Sequence, residues 1–548
     1  MATALTLGID VSTQSISAVA VHAADTPGES PARVVAEHSI AYRDDPRLNR
    51  YGIDHESLLV PPRVAGEADQ PPEMFLAGLD ALFGDLREQG LDMSALAAVS
   101  VSAQQHGHVY LSEAGRETIR KLGGPLDGPA GTSSQDLVAR LRGAFAYGTA
   151  PIWQTADSQT AADEIRAAMG GTGKMVEASG SDSPARFTGA VIRRTARRYP
   201  EAWEDTAAVS LLSSFISGVL TANPECPIDW GNGAGMSLMD YRGREWSQEL
   251  LTAVGGDLPS GAGGLLKKLP STASPVTPVG TVASYFVDRY GFSPECVVNA
   301  GSGDNPQSKV MIDGDLLSLG TSFVYMVDTG KPVVDLQGYA NSMYDGLGRP
   351  FVFACRTNGA MVWDRVRAAY GADYAAAEKA LEAVPPGGAA GSPPVIWQPY
   401  AESYPVSPPL DNPAARDGTG DFASLYSGIV DSALVLTRHY ARGFEQGSGP
   451  LALTGGPAAS AEIRRRVAAI FERPVIVLDS SGAATGSALS AWQTWCDLRG
   501  VPAETERIRR ELVPPGRTVE PDGRLVRAYA EARKAVVNTF EEAAGLAD

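Results

Sequence analysis

Short apolar runs broken by polar turns dominate the chain, and their periods change from two to 3.6 along it. LTLGIDVSTQSISAVAVHA (residues 5–23) opens with an apolar strand ending at Asp10, passes through a Ser/Thr/Gln turn and continues as an alternating run from Ile16 to Val21. That pattern predicts a β-hairpin. EMFLAGLDALFGDLREQG (73–90) puts Phe75, Leu79, Leu82, Phe83 and Leu86 on one helical face. LAAVSVSAQ (96–104) is then a strand with the polar tip Gln104-Gln105-His106-Gly107. QTAADEIRAAMGG and AVIRRTARRYPEAW read as helices. CVVNAGSGDNP (296–306) begins as a buried strand, and DLLSLGTSFVYMVD (315–328) repeats the N-terminal unit of strand, Gly/Ser/Thr turn and strand. Repetition of one supersecondary unit suggests an internal duplication into two α/β domains, each giving one hairpin to a shared cleft. Residues 451–479 read as strand, Gly-Gly turn, helix and strand, with Ile463, Val467, Ile470 and Phe471 inward. SSGAATGSALSAW (480–492) is rich in small side chains that allow close approach to a neighbour or ligand. RLVRAYAEARKAVVNTFEEAAG (524–545) is a long amphipathic helix with Leu525, Ala528, Tyr529, Ala532, Val536 and Phe540 inward. Residues 26–72 and 117–150 read as loops or unordered, and 501–520 as a linker.

The length, 548 residues, exceeds a single core and implies two domains or more. A formal net charge of −18 argues against a general phosphate-backbone binder. Cys226, Cys296, Cys355 and Cys496 lack disulfide or zinc spacing and read as buried small hydrophobes in a reducing compartment. No run reaches the length of a membrane span, and MATALTLGID does not read as a signal peptide, so a cytoplasmic protein is expected.

Four motifs carry candidate chemistry. In GIDVSTQS, the backbone and hydroxyls of Ser12, Thr13 and Gln14 offer donors to a phosphate, with Asp10 placed to hold Mg²⁺ through water. An ordinary hairpin with a turn Asp fits the same letters. In SLGTS (318–322), Gly320 permits close backbone approach, and Thr321 and Ser322 supply donors. In GSGDNP (301–306), Asp304 is a candidate general base for a sugar hydroxyl, against an Asp-Asn-Pro turn as the plainer alternative. In LTGG (453–456), Gly455 and Gly456 leave a flat backbone surface for an adenine ring. Neither a dinucleotide fingerprint nor a Walker A loop is present. Arg193, Arg194, Arg197 and Arg198 form either an anion site or a solvated helix face.

In this order the segments resemble the FGGY family of carbohydrate kinases, within it the longer eukaryotic-type xylulokinase branch, from about Leu5 to about Trp492. AQQHG is similar to the sugar-binding segment, ARFTG to one whose arginine, here Arg186, contacts sugar, and GDNP to the catalytic loop. PIDWGNGAGMSLMD (227–240) resembles the segment leading toward the domain boundary. The resemblance implies an α/β fold of two RNase-H-like, actin/hexokinase-type domains flanking a catalytic cleft. Residues 1–283 would bind sugar and 284–548 nucleotide, with the C-terminal helix from about 522 packing back on the first domain. It implies ATP and Mg²⁺ as cofactors and ATP-dependent phosphorylation of D-xylulose to D-xylulose 5-phosphate. The sugar would lie against Gln105, His106, Arg186, Asp304 and Asn305, and ATP against Ser12, Thr13, Gln14, Gly320, Thr321, Ser322, Gly455 and Gly456. His108 points away on its strand. The chain departs from the family's pattern at SSGAATGSAL, at PAAS after LTGG, where Ser460 reads as a helix cap, and at PIWQTADSQ, which leaves Asp157 without an assigned role. Another ketose or polyol, ribulose included, is the alternative substrate, and a catalytically weak sugar or nucleotide sensor the alternative function. The expected partners are small molecules, neither nucleic acid nor membrane, with oligomeric state open and a homodimer compatible.

Overall fold

The computed structural model describes residues 3–24, 31–124, 135–386, 393–447, 449–478, 482–514 and 516–547. Ser480 and Ser481 of the small-residue segment, and parts of the loops 26–72 and 117–150, lie outside them. The chain divides into two units. The first comprises Met1–Met311, Ser342–Pro350 and Ser481–Pro514; the second comprises Ile312–Asn341, Phe351–Ser480 and Pro515–Asp548. Residues 284–311, assigned above to the C-terminal domain, pack in the first unit because Val297–Asn299 and Ser302–Gly303 pair in parallel with Leu96–Ala103.

The main sheet of the first unit runs in the order Pro278–Thr281, Val297–Asn299, Leu96–Ala103, Thr3–Val11, Ser15–Ala24 and Arg33–Ala41. The expected hairpin pairs Thr3–Val11 with Ser15–Ala24, and its first strand lies parallel to Leu96–Ala103, so that Asp10 is level with Ser102. Ser302 is also level with Ser102, on the other side. The carboxyl ends of three parallel segments therefore meet in one place, which is where parallel sheets bind ligands. The predicted helix forms over Pro72–Glu88, and its apolar face is buried as read. The strand Arg33–Ala41 is unforeseen; it is a mostly exposed edge strand whose alternation is carried by few apolar residues.

Helix Ala483–Asp497 covers the other face of this sheet. A Cβ on Gly8 would sit 1.8 Å from the Ala484 carbonyl oxygen, and one on Gly486 would sit 1.9 Å from that of Gln307. The small side chains of this segment thus serve backbone-to-backbone packing inside the unit. Residues 501–514 are not a linker, since Thr505–Leu512 is a helix with Ile508 buried. A second layer of the unit is built around the strands Phe145–Tyr147, His108–Ser112 and Thr206–Leu211. There the arginine cluster is neither an anion site nor a bare solvated face. Arg193 and Arg197 pair with Glu164 and Asp257, and Arg194 and Arg198 with Glu67 and Asp157. Asp157 belongs to that ion-pair network.

In the second unit the strand order is Pro350–Arg356, Phe323–Asp328, Asp315–Leu319, Leu451–Thr454, Val475–Val477 and Thr518–Val519. Its core includes Tyr529, Val536, Val537 and Phe540 of the C-terminal helix Gly523–Ala544, which packs on Phe422–Ala441 and Ala461–Phe471. That helix does not return to the first unit; 481–514 does. Ser460 caps Ala461–Phe471 by accepting from the Ile463 N–H at 3.0 Å, as expected.

Candidate active site

In the first unit the polar tip of strand Leu96–Ala103 is a turn. The Gln104 N–H continues the ladder by donating to the Val11 carbonyl at 2.9 Å, and His106 reverses the chain at φ +67°. A non-glycine residue is held there by its surroundings. The His106 ring stacks on Phe187, centroids 4.6 Å apart, and Nδ1 lies 3.1 Å from the Gly235 carbonyl oxygen. Nδ1 must carry the proton in that contact, which leaves Nε2 as an acceptor. Burial, then the nearby Arg186 charge, pushes the imidazole down to about 3, so it stays neutral. His108 is buried against its own neighbours, between the His106 carbonyl and the Tyr110 hydroxyl. Arg186 stands over Phe187 at 5.9 Å.

Asp304 opens the helix Asp304–Val310 directly after Ser302–Gly303, so the plainer reading as a loop turn does not hold. Its Oδ1 accepts from the N–H and the amide of Asn305 at 2.8 and 3.1 Å. The Asn305 amide also donates to Gln105 Oε1 at 3.2 Å, which ties the two sugar-segment candidates together. Burial pushes the Asp304 carboxyl up to about 7, and the negative charge of Asp10 adds to the shift against hydrogen bonds from the Asn305 and Gln105 backbone. Asp10 is also raised by burial, while its oxygens accept from Ser102 Oγ at 2.6 Å and Ser12 Oγ at 3.0 Å. Two carboxylates raised by burial, Asp304 further by the charge of Asp10, form a hard oxygen donor set short of positive charge. That set fits a divalent cation completed by water and phosphate oxygens.

Thr13 is less free than its motif implied. Its hydroxyl donates to Gln104 Oε1 at 3.0 Å and accepts from Trp153 Nε1 at 2.9 Å, and its carbonyl accepts from Gln70. Ser12 and Gln14 stand beside it in the hairpin turn, Gln14 exposed.

In the second unit the strands ending in SLGTS and LTGG are parallel neighbours, with Ser318 level with Thr454. Gly455, at φ +97°, packs so closely that a Cβ would lie 2.3 Å from the Leu319 carbonyl oxygen. Gly456 faces open space. The Gly320 carbonyl accepts from the Ala360 N–H at 3.0 Å, and a Cβ on Gly359 would meet the Thr321 carbonyl at 2.6 Å, so Gly320, Thr321 and Ser322 rest on the turn 357–359. That turn is held by the buried carboxylate of Glu402, which accepts from the N–H groups of Thr357 and Asn358.

Sequence reasoning gave no role to Gln104, Gln70, Trp153, Asp229, Asn232 and Glu402, and all but Asn232 act through partners far away in the chain. Met343 joins them, its sulfur 3.8 Å from Gln105 Nε2.

No family model matches the chain. A probable D-xylulose kinase A from Aspergillus fumigatus is 31% identical over 368 residues, 66% of this chain and 60% of that protein. The chain thus spans 60% of the length of the Aspergillus relatives it matches. Xylulose kinase from Mus musculus is 29% identical over 516 residues, 90% of this chain and 87% of that one. Among solved structures, xylulose kinase from Rhodospirillum rubrum superposes with a TM-score of 0.76 at 16% identity, covering 98% of both chains. Plasmodium falciparum glycerol kinase with ADP gives 0.70 at 14% identity, again over 98% of both. These likenesses establish the two-domain actin- and hexokinase-like fold.

Proposed function

We propose that the chain belongs to the FGGY family of carbohydrate kinases and that it transfers the γ-phosphoryl group of ATP to the terminal hydroxyl of D-xylulose, giving D-xylulose 5-phosphate and ADP. The observation that carries the reading is Asp304. It is a carboxylate raised to about 7 by burial, fixed by backbone N–H groups and ringed by Gln105 and Asn305. A general base works best when its pKa lies near the operating pH.

In the proposed reaction Gln105, Asn305, His106 and Arg186 orient the sugar. Arg186 donates hydrogen bonds, and the neutral His106 accepts one from a sugar hydroxyl at Nε2. Asp304 takes the proton of the attacking hydroxyl as its oxygen bonds to the γ-phosphorus and the bond to the ADP oxygen breaks. A divalent cation, which we take to be Mg²⁺, would be held at Asp10 and supplies charge neutralisation on the phosphate oxygens. Ser12, Thr13 and Gln14, with Gly320, Thr321 and Ser322, are the proposed phosphate contacts, and Gly455 and Gly456 the proposed adenine surface. Thr13 is limited to its backbone, because its hydroxyl is already engaged twice. The reading carries with it a cytoplasmic enzyme whose partners are sugar and nucleotide. Among the described residues no helix is long and apolar enough to cross a membrane.

A kinase assay over pentuloses, hexuloses and polyols tests the reading. D-xylulose should give the highest kcat/KM, and its product should be the 5-phosphate. Absence of transfer to D-xylulose under conditions where ATP binds would refute it.

A further inference from the structure

The segment after Ile228 has no part in the reaction above, yet it touches the site at two places. Asp229 is fully buried at the start of helix Trp230–Ala234. Its Oδ1 accepts from Asn232 Nδ2 at 2.7 Å; its Oδ2 accepts from the Asn232 N–H at 3.1 Å and from Ser302 Oγ at 2.5 Å. Ser302 stands two residues before Asp304, on the short strand that delivers it. A Cβ on Gly231 would lie 2.6 Å from Ser302 Oγ, so the contact is backbone-close. At the other end, the carbonyl that accepts from His106 Nδ1 belongs to Gly235, the residue after the helix. Asn232 Oδ1 also lies 3.0 Å from where a Cβ on Gly303 would be.

We propose that Asp229 is a positioning residue of this site: through Ser302 it sets where Asp304 stands, and through the helix to Gly235 it sets which nitrogen of His106 is offered to the sugar. The proposal rests on the kinase reading for its kinetic consequences alone. Only an ionised carboxylate accepts from three such donors without presenting one of its own; an amide at 229 turns an N–H toward either Ser302 or Asn232. A buried acceptor set that is fully satisfied is rigid, and one that is half satisfied is not. Asp229 therefore couples the base and the sugar anchor, although it touches neither substrate.

The test uses the full chain with Asp229→Asn, Ser302→Ala and the double variant. Two readouts are taken: steady-state kinetics with D-xylulose and ATP, and nuclear magnetic resonance of ¹⁵N-histidine protein without ligands. Ser302→Ala should lower kcat about ten- to hundredfold, the scale of a small misplacement of a reacting group, with KM for ATP unchanged. Asp229→Asn should in addition weaken sugar binding and move His106 away from the Nδ1–H tautomer. The double variant should be no worse than Asp229→Asn, because one hydrogen bond is removed twice. Wild-type kcat in Ser302→Ala, losses that add, or an unmoved His106 resonance in folded Asp229→Asn would each overturn the proposal. Should Asp229→Asn not fold, Ser302→Ala decides by its kcat. Should the wild type phosphorylate no sugar, the kinase reading fails, and the His106 spectra still decide the positioning claim.

Discussion

Replacing Asp304 by Asn should make the protein more stable as it makes it inactive, and the stability gain should grow with pH. The ordinary carboxyl value is 3.8 and the folded value about 7. Between those values the folded state holds a proton that the unfolded chain has lost, so stability falls as pH rises, and the penalty is complete above about 7. The full displacement is equivalent to a ceiling of about 4 kcal/mol at pH 8 and about 2 kcal/mol at pH 5.5. The side chain is only partly hidden from solvent, and Asn keeps the oxygen that accepts from the Asn305 N–H. Both effects reduce the gain, to about 2 kcal/mol at pH 8 and about 1 kcal/mol at pH 5.5. Urea unfolding of wild type and variant at the two pH values measures it; at pH 8 the midpoint should rise by roughly half a molar for a unit this large. Turnover should fall by about 10²–10⁴-fold. Equal midpoints at both pH values, or turnover within tenfold of wild type, would refute the assignment of Asp304 as a desolvated base.

Other expectations are simpler. Because the His106 imidazole is held down to about 3, sugar affinity of the Asp304→Asn variant, which lacks the other group titrating near neutrality against the sugar, should not change by calorimetry between pH 8 and 5; a tenfold loss centred near 6.5 would contradict the buried, neutral ring. Arg186→Ala should weaken sugar binding while leaving ATP binding unchanged, read by calorimetry with each ligand separately. Gly486→Ala places a methyl 1.9 Å from the Gln307 carbonyl oxygen in the middle of the helix Asp304–Val310, so it should destabilise the first unit by about 1–3 kcal/mol in chemical denaturation.

What could be read from the letters was what is local. The hairpin around Asp10, the helix Pro72–Glu88 and the strand leading to Gln104 follow from periodicities inside one element. Asp304 and the Gly-Ser-Thr turn at 318–322 were legible because they sit at strand ends, where polar residues stand out against apolar runs. The strand Arg33–Ala41 was not legible, since an exposed edge strand needs no apolar period. Asp229 could not be found because its partner Ser302 is 73 residues away, and Glu402 because the turn it holds lies 44 and 45 residues away. The arginines of 193–198 looked like a free positive patch because the acids that neutralise them, among them Glu67 and Asp257, come from distant segments. The division of the chain failed for the same reason: a contiguous boundary was assumed, and the first unit is stitched from three stretches.

That stitching bears on how the protein is born. The strand Thr3–Val11 is made long before the helix that covers it, Ala483–Asp497. At about 5–20 residues per second, the interval between completing residue 311 and residue 497 is about 10–40 s. Through that time Ala4, Val19, Val21 and Ala98, which end up against Ala488, Leu489 and Trp492, have no cover. The nascent first unit therefore keeps apolar surface exposed until residue 497 has been added. A premature stop anywhere in the second unit's long insertion would appear in the cell as a folding defect of the N-terminal strands, hundreds of residues upstream of the lesion.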